Sequence, residues 1–229
     1  MSRHNQQSIA LGLIFALFLI PLSLKAETIT DPNNLEEGSR SYNYLFSQQA
    51  HKALFEVGLY WDKQLGLEQN CESKYDVTPT FLRIHSPIVY PEGATHPTSG
   101  IWQYTYQLKR CGSNKTYNAI FMSQDGQIPK VKPYFPGHTL ASAKLINDAL
   151  QSAYAAAGTQ FQNKECAKVF ITDMEVSKPP HDEINSGRRT ENVWNETWSF
   201  SGCGETAKVD MRFVPDAKGG TSFEARPQQ

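Results

Sequence analysis

The sequence predicts an α+β chain of two tandem repeats, each a helix packed on an antiparallel sheet of three to four strands. Three observations carry this expectation. The stretch Trp102 to Phe121 recurs as Trp194 to Phe213: an offset of 92 residues lays Trp102 on Trp194, Thr105 on Thr197, Cys111 on Cys203, Gly112 on Gly204 and Phe121 on Phe213 without a gap. Each copy follows an amphipathic stretch with apolar residues at helical spacing. Leu45 and Leu140 both stand 26 residues before the first cysteine of their copy.

The elements follow in order. Residues 1–26 read as a secretory signal: Arg3 and His4 precede an apolar run from Ile9 to Ile20, Pro21 breaks it, and Ala26 offers a cleavage site. That run is too short for a membrane span, and no later run approaches that length. Residues 27–40 are polar and read as a flexible mature N-terminus. The first repeat is assigned to 41–128. Its helix starts near Ser41 and carries Ala50, Leu54, Val57, Trp61 and Leu65 on one stripe, with Gly66 or Asn70 as its end. Gly58 interrupts that stripe and suits close packing. Val77 to Val89 reads as an edge or bent strand because Pro79 and Pro87 lack the amide donor.

Tyr90 to Gly100 reads as a loop. Trp102, Tyr104, Tyr106 and Leu108 alternate with polar residues, which predicts a strand buried on one side. Gly112 to Asn114 is the expected turn, and Tyr117, Ala119 and Phe121 form the return strand. Residues 129–137, with three prolines, are the expected connector. The second repeat, 138–225, has a helix capped by Thr139 and ended by Gly158, with Ile146, Leu150, Ala153 and Ala157 on its stripe. Val169 to Val176 is its strand, Lys178 to Asn192 a polar loop, and Trp194 to Phe213 its hairpin; 226–229 is a tail. This element order resembles cystatin-like and related helix-on-sheet folds.

Composition bounds the function. Without the leader the chain has about 203 residues and a formal charge of −3, against −1 with it. Such a balance offers no footprint for nucleic acid and no polybasic run for an acidic membrane. Four cysteines in an exported chain read as disulfides, and the repeat favours Cys71–Cys111 and Cys166–Cys203. Each bridge closes a loop of about 40 residues, worth roughly 4 kcal/mol by chain entropy. The cysteines are isolated rather than in CxxC pairs, so no metal site is expected. No nucleophile elbow, HExxH, phosphate loop, dinucleotide fingerprint or EF-hand loop occurs, and no cofactor is expected.

The candidate binding residues lie in the two inter-strand loops: Tyr90, Glu92 and His96 in the first, and His181, Asp182, Glu183, Arg188 and Arg189 in the second. A histidine beside carboxylates has the chemistry of a general acid–base pair. Yet the offset matches Glu92 with Ile184 and His96 with Arg188, so a duplicated catalytic site is not expected. The aromatic row Trp102, Tyr104, Tyr106, Trp194 and Trp198 reads as core. The expected role is a periplasmic or secreted interaction module that contacts another protein or an envelope component through loops on a rigid frame. The alternatives are a small extracellular hydrolase using His181 or His96, and a secreted enzyme inhibitor.

Overall fold

The computed structural model describes residues 26–67, 74–163, 166, 168–185 and 188–228. The leader up to residue 25 and Cys71, the expected partner of Cys111, lie outside the described residues. The α+β expectation is overturned. The chain is mostly β, with nine strands among the described residues in two antiparallel sheets. One sheet has five strands and the other four, rather than three to four each.

The first sheet runs β1 (Glu27–Ile29), β2 (Asp76–Tyr90), β3 (Ser99–Arg110), β4 (Ser113–Gln124) and β5 (Gln127–Tyr134), in that spatial order. Helices α1 (Arg40–Leu45) and α2 (Gln48–Gln64) precede β2. Two serine caps divide them: Ser39 accepts from Tyr42 N and Ser47 from Ala50 N. One face of the sheet carries Trp102, Tyr104, Tyr106 and Leu108 beside Tyr117, Ala119 and Phe121, and buries them against Leu54, Val57 and Trp61 of α2. Gly58 sits on this contact, where a Cβ would meet the side chain of Leu108. Below it the Asp62 carboxylate accepts from Tyr117 Oη at 2.5 Å and pairs with Arg110 at 3.2 Å.

The second sheet runs β6 (Val169–Asn185), β7 (Arg188–Gly202), β8 (Glu205–Pro215) and β9 (Thr221–Pro227). Helix α3 (Ala143–Gln160) lays Ile146, Ala149, Ala153 and Ala157 on its apolar face, against Trp198, Phe200, Val209 and Phe213. Ser142, not Thr139, caps α3, and Gly158 lies inside it.

The strands missed by the sequence reading are edge strands. The N-terminal stretch at 27–40 contributes β1, which pairs with the end of β2, and then a 3₁₀ turn. The expected connector 129–137 supplies β5, paired to β4 from Asn118↔Tyr134 to Gln124↔Gln127. Pro129 and Pro133 are four apart in β5, so both nitrogens share one side, and only the free edge tolerates a missing donor. The expected tail begins inside β9. The expected polar loop 178–192 is mostly the outer end of the β6–β7 hairpin, whose register is shifted around Lys178 and His181. The prolines of β2 fall beside register shifts, at Pro79/Phe81 and Ser86/Val89.

Both central hairpins turn on Cys-Gly. Arg110 pairs with Ser113 and Gly202 with Glu205, leaving Cys111-Gly112 and Cys203-Gly204 as two-residue turns. All four residues have positive φ, at 49° and 76° in the first and 50° and 82° in the second. This is the geometry that fits strand twist; the expected turn at Gly112 to Asn114 is thus shifted back by one residue. Cys203 is joined to Cys166, with 5.9 Å between their Cα atoms. Trp102 faces Phe121 across β3–β4, and Trp194 faces Phe213 across β7–β8. Both ring pairs stack, with centroids 5.5 and 4.9 Å apart.

The chain crosses between the sheets at Phe135 to His138. Asn118, buried on the outer face of the first sheet, donates Nδ2 to the carbonyls of Phe135 and Gly137, each at 2.8 Å. Gly137 N donates to Thr116 O and His138 N to Met174 O. Gly137 has φ of +93°, and a Cβ there would fall on the backbone of Met174. Gly137→Ala is expected to cost about 4 kcal/mol in chemical denaturation, since neither the backbone nor β6 can yield cheaply. Gly219 has φ of +83° with open space around it, so Gly219→Ala isolates the strain alone, about 1 kcal/mol. Equal losses at the two positions would refute the close-approach argument.

Candidate functional site

The structure divides the residues singled out from sequence. Tyr90 is not in a loop: it ends β2, fully buried, with the Arg40 guanidinium 5.4 Å from its ring centroid. Its place before Pro91 favours extended backbone, which keeps it in the strand. Glu92 is exposed in the turn that follows. His96 is half-buried, and its Nδ1 lies 2.9 Å from Tyr44 Oη.

His181, Asp182 and Glu183 belong to β6, and Arg188 and Arg189 to β7. Strand alternation sends Asp182 to the opposite side from His181 and Glu183. Asp182 pairs with Arg189 at 2.6 Å and accepts from Asn192 N, and these bonds, the Arg189 one above all, hold its carboxyl below the usual range. Glu183 pairs with Arg212, which is the main cause of its own lowered pKa, and lies 3.1 Å from His181 Nε2. His181 Nδ1 meets Pro179 O at 2.9 Å. A carbonyl only accepts, so Nδ1 carries a proton. Both ring nitrogens are then engaged, and Glu183 is held by an arginine. The group braces a hairpin and leaves no free nitrogen to act as a base. Among the described residues no cluster of histidine, cysteine and carboxylate side chains has the makings of a metal site.

A different site lies between α2 and β5. The bend at Ser47 sets Tyr44 and Leu45 of α1 against the first turn of α2, and β5 runs alongside as the free edge. Between them is a cavity of about 60 Å³ floored by Trp102, Tyr104 and Phe121 and walled by Ala50, Ile128 and Val131. It opens into a groove bordered by Ala53, Val57 and Tyr60 on one side and Pro129 and Pro133 on the other. Tyr60 and Ile128 are among the few large apolar side chains left exposed, at 47% and 59%. No charged side chain lines the cavity itself; Lys52 and Glu56 stand farther along the groove.

The polar groups at the floor are unevenly matched. Tyr104 Oη donates to Leu45 O at 2.6 Å, and Tyr106 Oη to Leu54 O at 2.7 Å. Burial raises the pKa of Tyr104, and also that of Tyr44, the latter to about 12. The Trp102 indole N–H is near enough to favour the ionised form of Tyr104, but no bond geometry is met, and Nε1 is left without a hydrogen-bond partner at 1% exposure.

The second sheet treats the matching positions differently. Glu196, 92 residues after Tyr104, is fully buried and accepts from Trp194 Nε1 at 3.0 Å and Trp198 Nε1 at 2.8 Å. It also accepts from Thr139 Oγ1 and from Leu140 N. The tie to the segment before the helix is therefore kept with reversed polarity: Tyr104 donates to Leu45 O, and Glu196 accepts from Leu140 N. Phe223 of β9 faces Phe213 and packs into the core, where Val131 faces Phe121. The smaller side chain accompanies the cavity. Alternation alone marks Trp102 and Tyr104 as core, and the prolines mark Val131 as linker; the same 92-residue offset, carried ten residues further, sets Val131 against Phe223 and holds the missed signal. No protein-family model, curated protein or solved structure matches the chain.

Proposed function

We propose that the chain is an exported, disulfide-bonded binding module made of two copies of one scaffold, which takes its partner in the α2–β5 groove of the first copy rather than on polar loops. Export is supported by the character of residues 1–26 and by the Cys166–Cys203 bridge, which suits an oxidising compartment. No helix among the described residues is long and apolar enough to cross a membrane. The observation that carries the reading is the open apolar groove flanked by exposed Tyr60 and Ile128. The expected loop residues give no such surface: Tyr90 is buried, and Asp182, Glu183 and Arg189 spend their charge on each other or on Arg212. The same engagement of both His181 nitrogens weighs against a hydrolase.

A photoreactive side chain placed at Tyr60, Ile128 or Ile184 in the full-length protein, expressed in its own cells, tests this. Ile184 is 75% exposed on the β6–β7 hairpin and stands for the loop alternative. Adducts are expected from positions 60 and 128. Adducts from 184 alone, or none from any, would reject the groove.

A further inference from the structure

We infer that the outer face of the first sheet docks on an anionic phospholipid membrane, which leaves the groove free on the opposite face. Three observations set this chemistry.

The first is what strand register brings together. One row across the sheet runs Arg83, Gln103, Ile120 and Lys132. The next runs Ser86, Ile101, Met122 and Lys130. These side chains point away from α2, because the alternate positions Trp102, Tyr104 and Phe121 face it. The three cations come from β2 and β5, on either side of the two central strands, so they make no basic run in the sequence. No acidic residue occupies either row. Arg83, Lys130 and Lys132 form no ion pair among the described residues.

The second is the apolar centre. Ile101, Ile120 and Met122 lie between the cations, and the Phe81 ring centroid is 5.7 Å from the Arg83 guanidinium. Phe81 and Ile101 are exposed at 51% and 39%, and Lys130 and Lys132 are exposed with them. A soluble polyanion matches the cations alone. A bilayer offers a negative plane with an apolar layer beneath it, and so matches both.

The third is the contrast with the second sheet. The 92-residue offset sets Arg83, Ile120 and Lys132 against Glu175, Arg212 and Glu224. Asn195, Arg212 and Glu224 form the corresponding row there. Arg212 pairs with Glu183, and Glu224 with Arg226. The second sheet thus neutralises its own outer face. The first keeps charge of one sign around an apolar centre, in a chain that is net negative without its leader.

The test measures co-sedimentation of the mature protein with vesicles at physiological salt. Vesicles of phosphatidylcholine and phosphatidylglycerol in equal parts are expected to retain it, and phosphatidylcholine alone should not. Each cation at an anionic surface is worth about fivefold, so Lys130→Ala with Lys132→Ala should weaken retention roughly thirtyfold. Lys63→Ala with Lys218→Ala makes the same change in net charge at exposed positions on α2 and in the β8–β9 turn. That pair should stay within about twofold of the parent, since salt screens charges distant from the surface. Ile101→Ser should weaken retention about fivefold through lost apolar contact with lipid. All five positions are exposed, and unchanged thermal unfolding checks that each variant is folded. Equal retention by both vesicle types, retention by neither, or equal loss in the two lysine pairs would overturn the inference. Loss in the Lys130 and Lys132 pair with none in Ile101→Ser would assign the face to a soluble polyanion, and would overturn it too. Adducts at positions 60 and 128 test the groove separately.

Discussion

Above pH 10 the first sheet is expected to unfold while the second is still folded. The cause is the tyrosine content of its core. Tyr90, Tyr104, Tyr106 and Tyr117 are all at or below 1% exposure, and burial is the leading cause that raises each of their pKa values above the ordinary 10.0. For a group whose folded pKa is raised, the stabilisation is whole below the unfolded pKa and is lost as pH climbs toward the folded one. Between those limits the unfolded chain releases the proton and the folded chain keeps it, which removes about 1.4 kcal/mol per pH unit for each group. Four such groups make the slope about 5 kcal/mol per pH unit, comparable to the whole stability of a small domain. The second core holds tryptophan, phenylalanine, methionine and alanine, and the two tyrosines packed against it, Tyr134 and Tyr154, are only partly buried. Methyl signals of Leu54 and Leu108 should therefore collapse before those of Met174 and Met211, in step with phenolate absorbance. Simultaneous loss in both sheets, or loss in the first without phenolate release, would contradict the account. Tyr106→Phe should make the slope shallower by one group's share, although it also removes the hydroxyl bond to Leu54 O.

How far sequence reading reached follows from where side chains are buried. The central hairpins were legible because one face of β3, β4, β7 and β8 is packed, so that Trp102 to Leu108 and Val209 to Phe213 alternate cleanly. The stripe of α2 was legible for the same reason, down to the close approach at Gly58. Edge strands carry no such imprint. Val131 is the residue of β5 that packs on the first core, and prolines are tolerated on its free side, so composition alone says linker. The outer end of the β6–β7 hairpin is paired by backbone and by Arg189 with Asp182, again without an apolar face, and reads as a loop. Adding these edges moves the chain from helix-plus-sheet to mostly β. The cavity was invisible for a further reason: its floor is made of the residues that most resemble core. Only a comparison of one half with the other, Val131 against Phe223 and Tyr104 against Glu196, separates a filled position from an open one.

Glu196→Ala is expected to cost about 5 kcal/mol, near the limit for a single substitution. The side chain is fully buried and pairs with no lysine or arginine among the described residues; neutral donors from β7 and from the segment before α3 surround it. Removing it leaves two indole N–H groups deep in the core without partners, each costing roughly 1–3 kcal/mol, and adds a cavity. Thr139 and Leu140, only partly buried or exposed, recover part of their loss from water. Glu196→Gln separates the contributions. Its single carbonyl oxygen satisfies the partners of Oε1, Leu140 N and Trp194, while its amide nitrogen confronts the Trp198 N–H with a second donor. A cost near half that of alanine is expected, with the Trp198 indole signal moved more than that of Trp194. Should glutamine cost nothing, the carboxylate's second oxygen would be idle and the four-donor description wrong. Should alanine cost under about 1 kcal/mol, the indoles would have another acceptor, and the four-donor description would again be wrong.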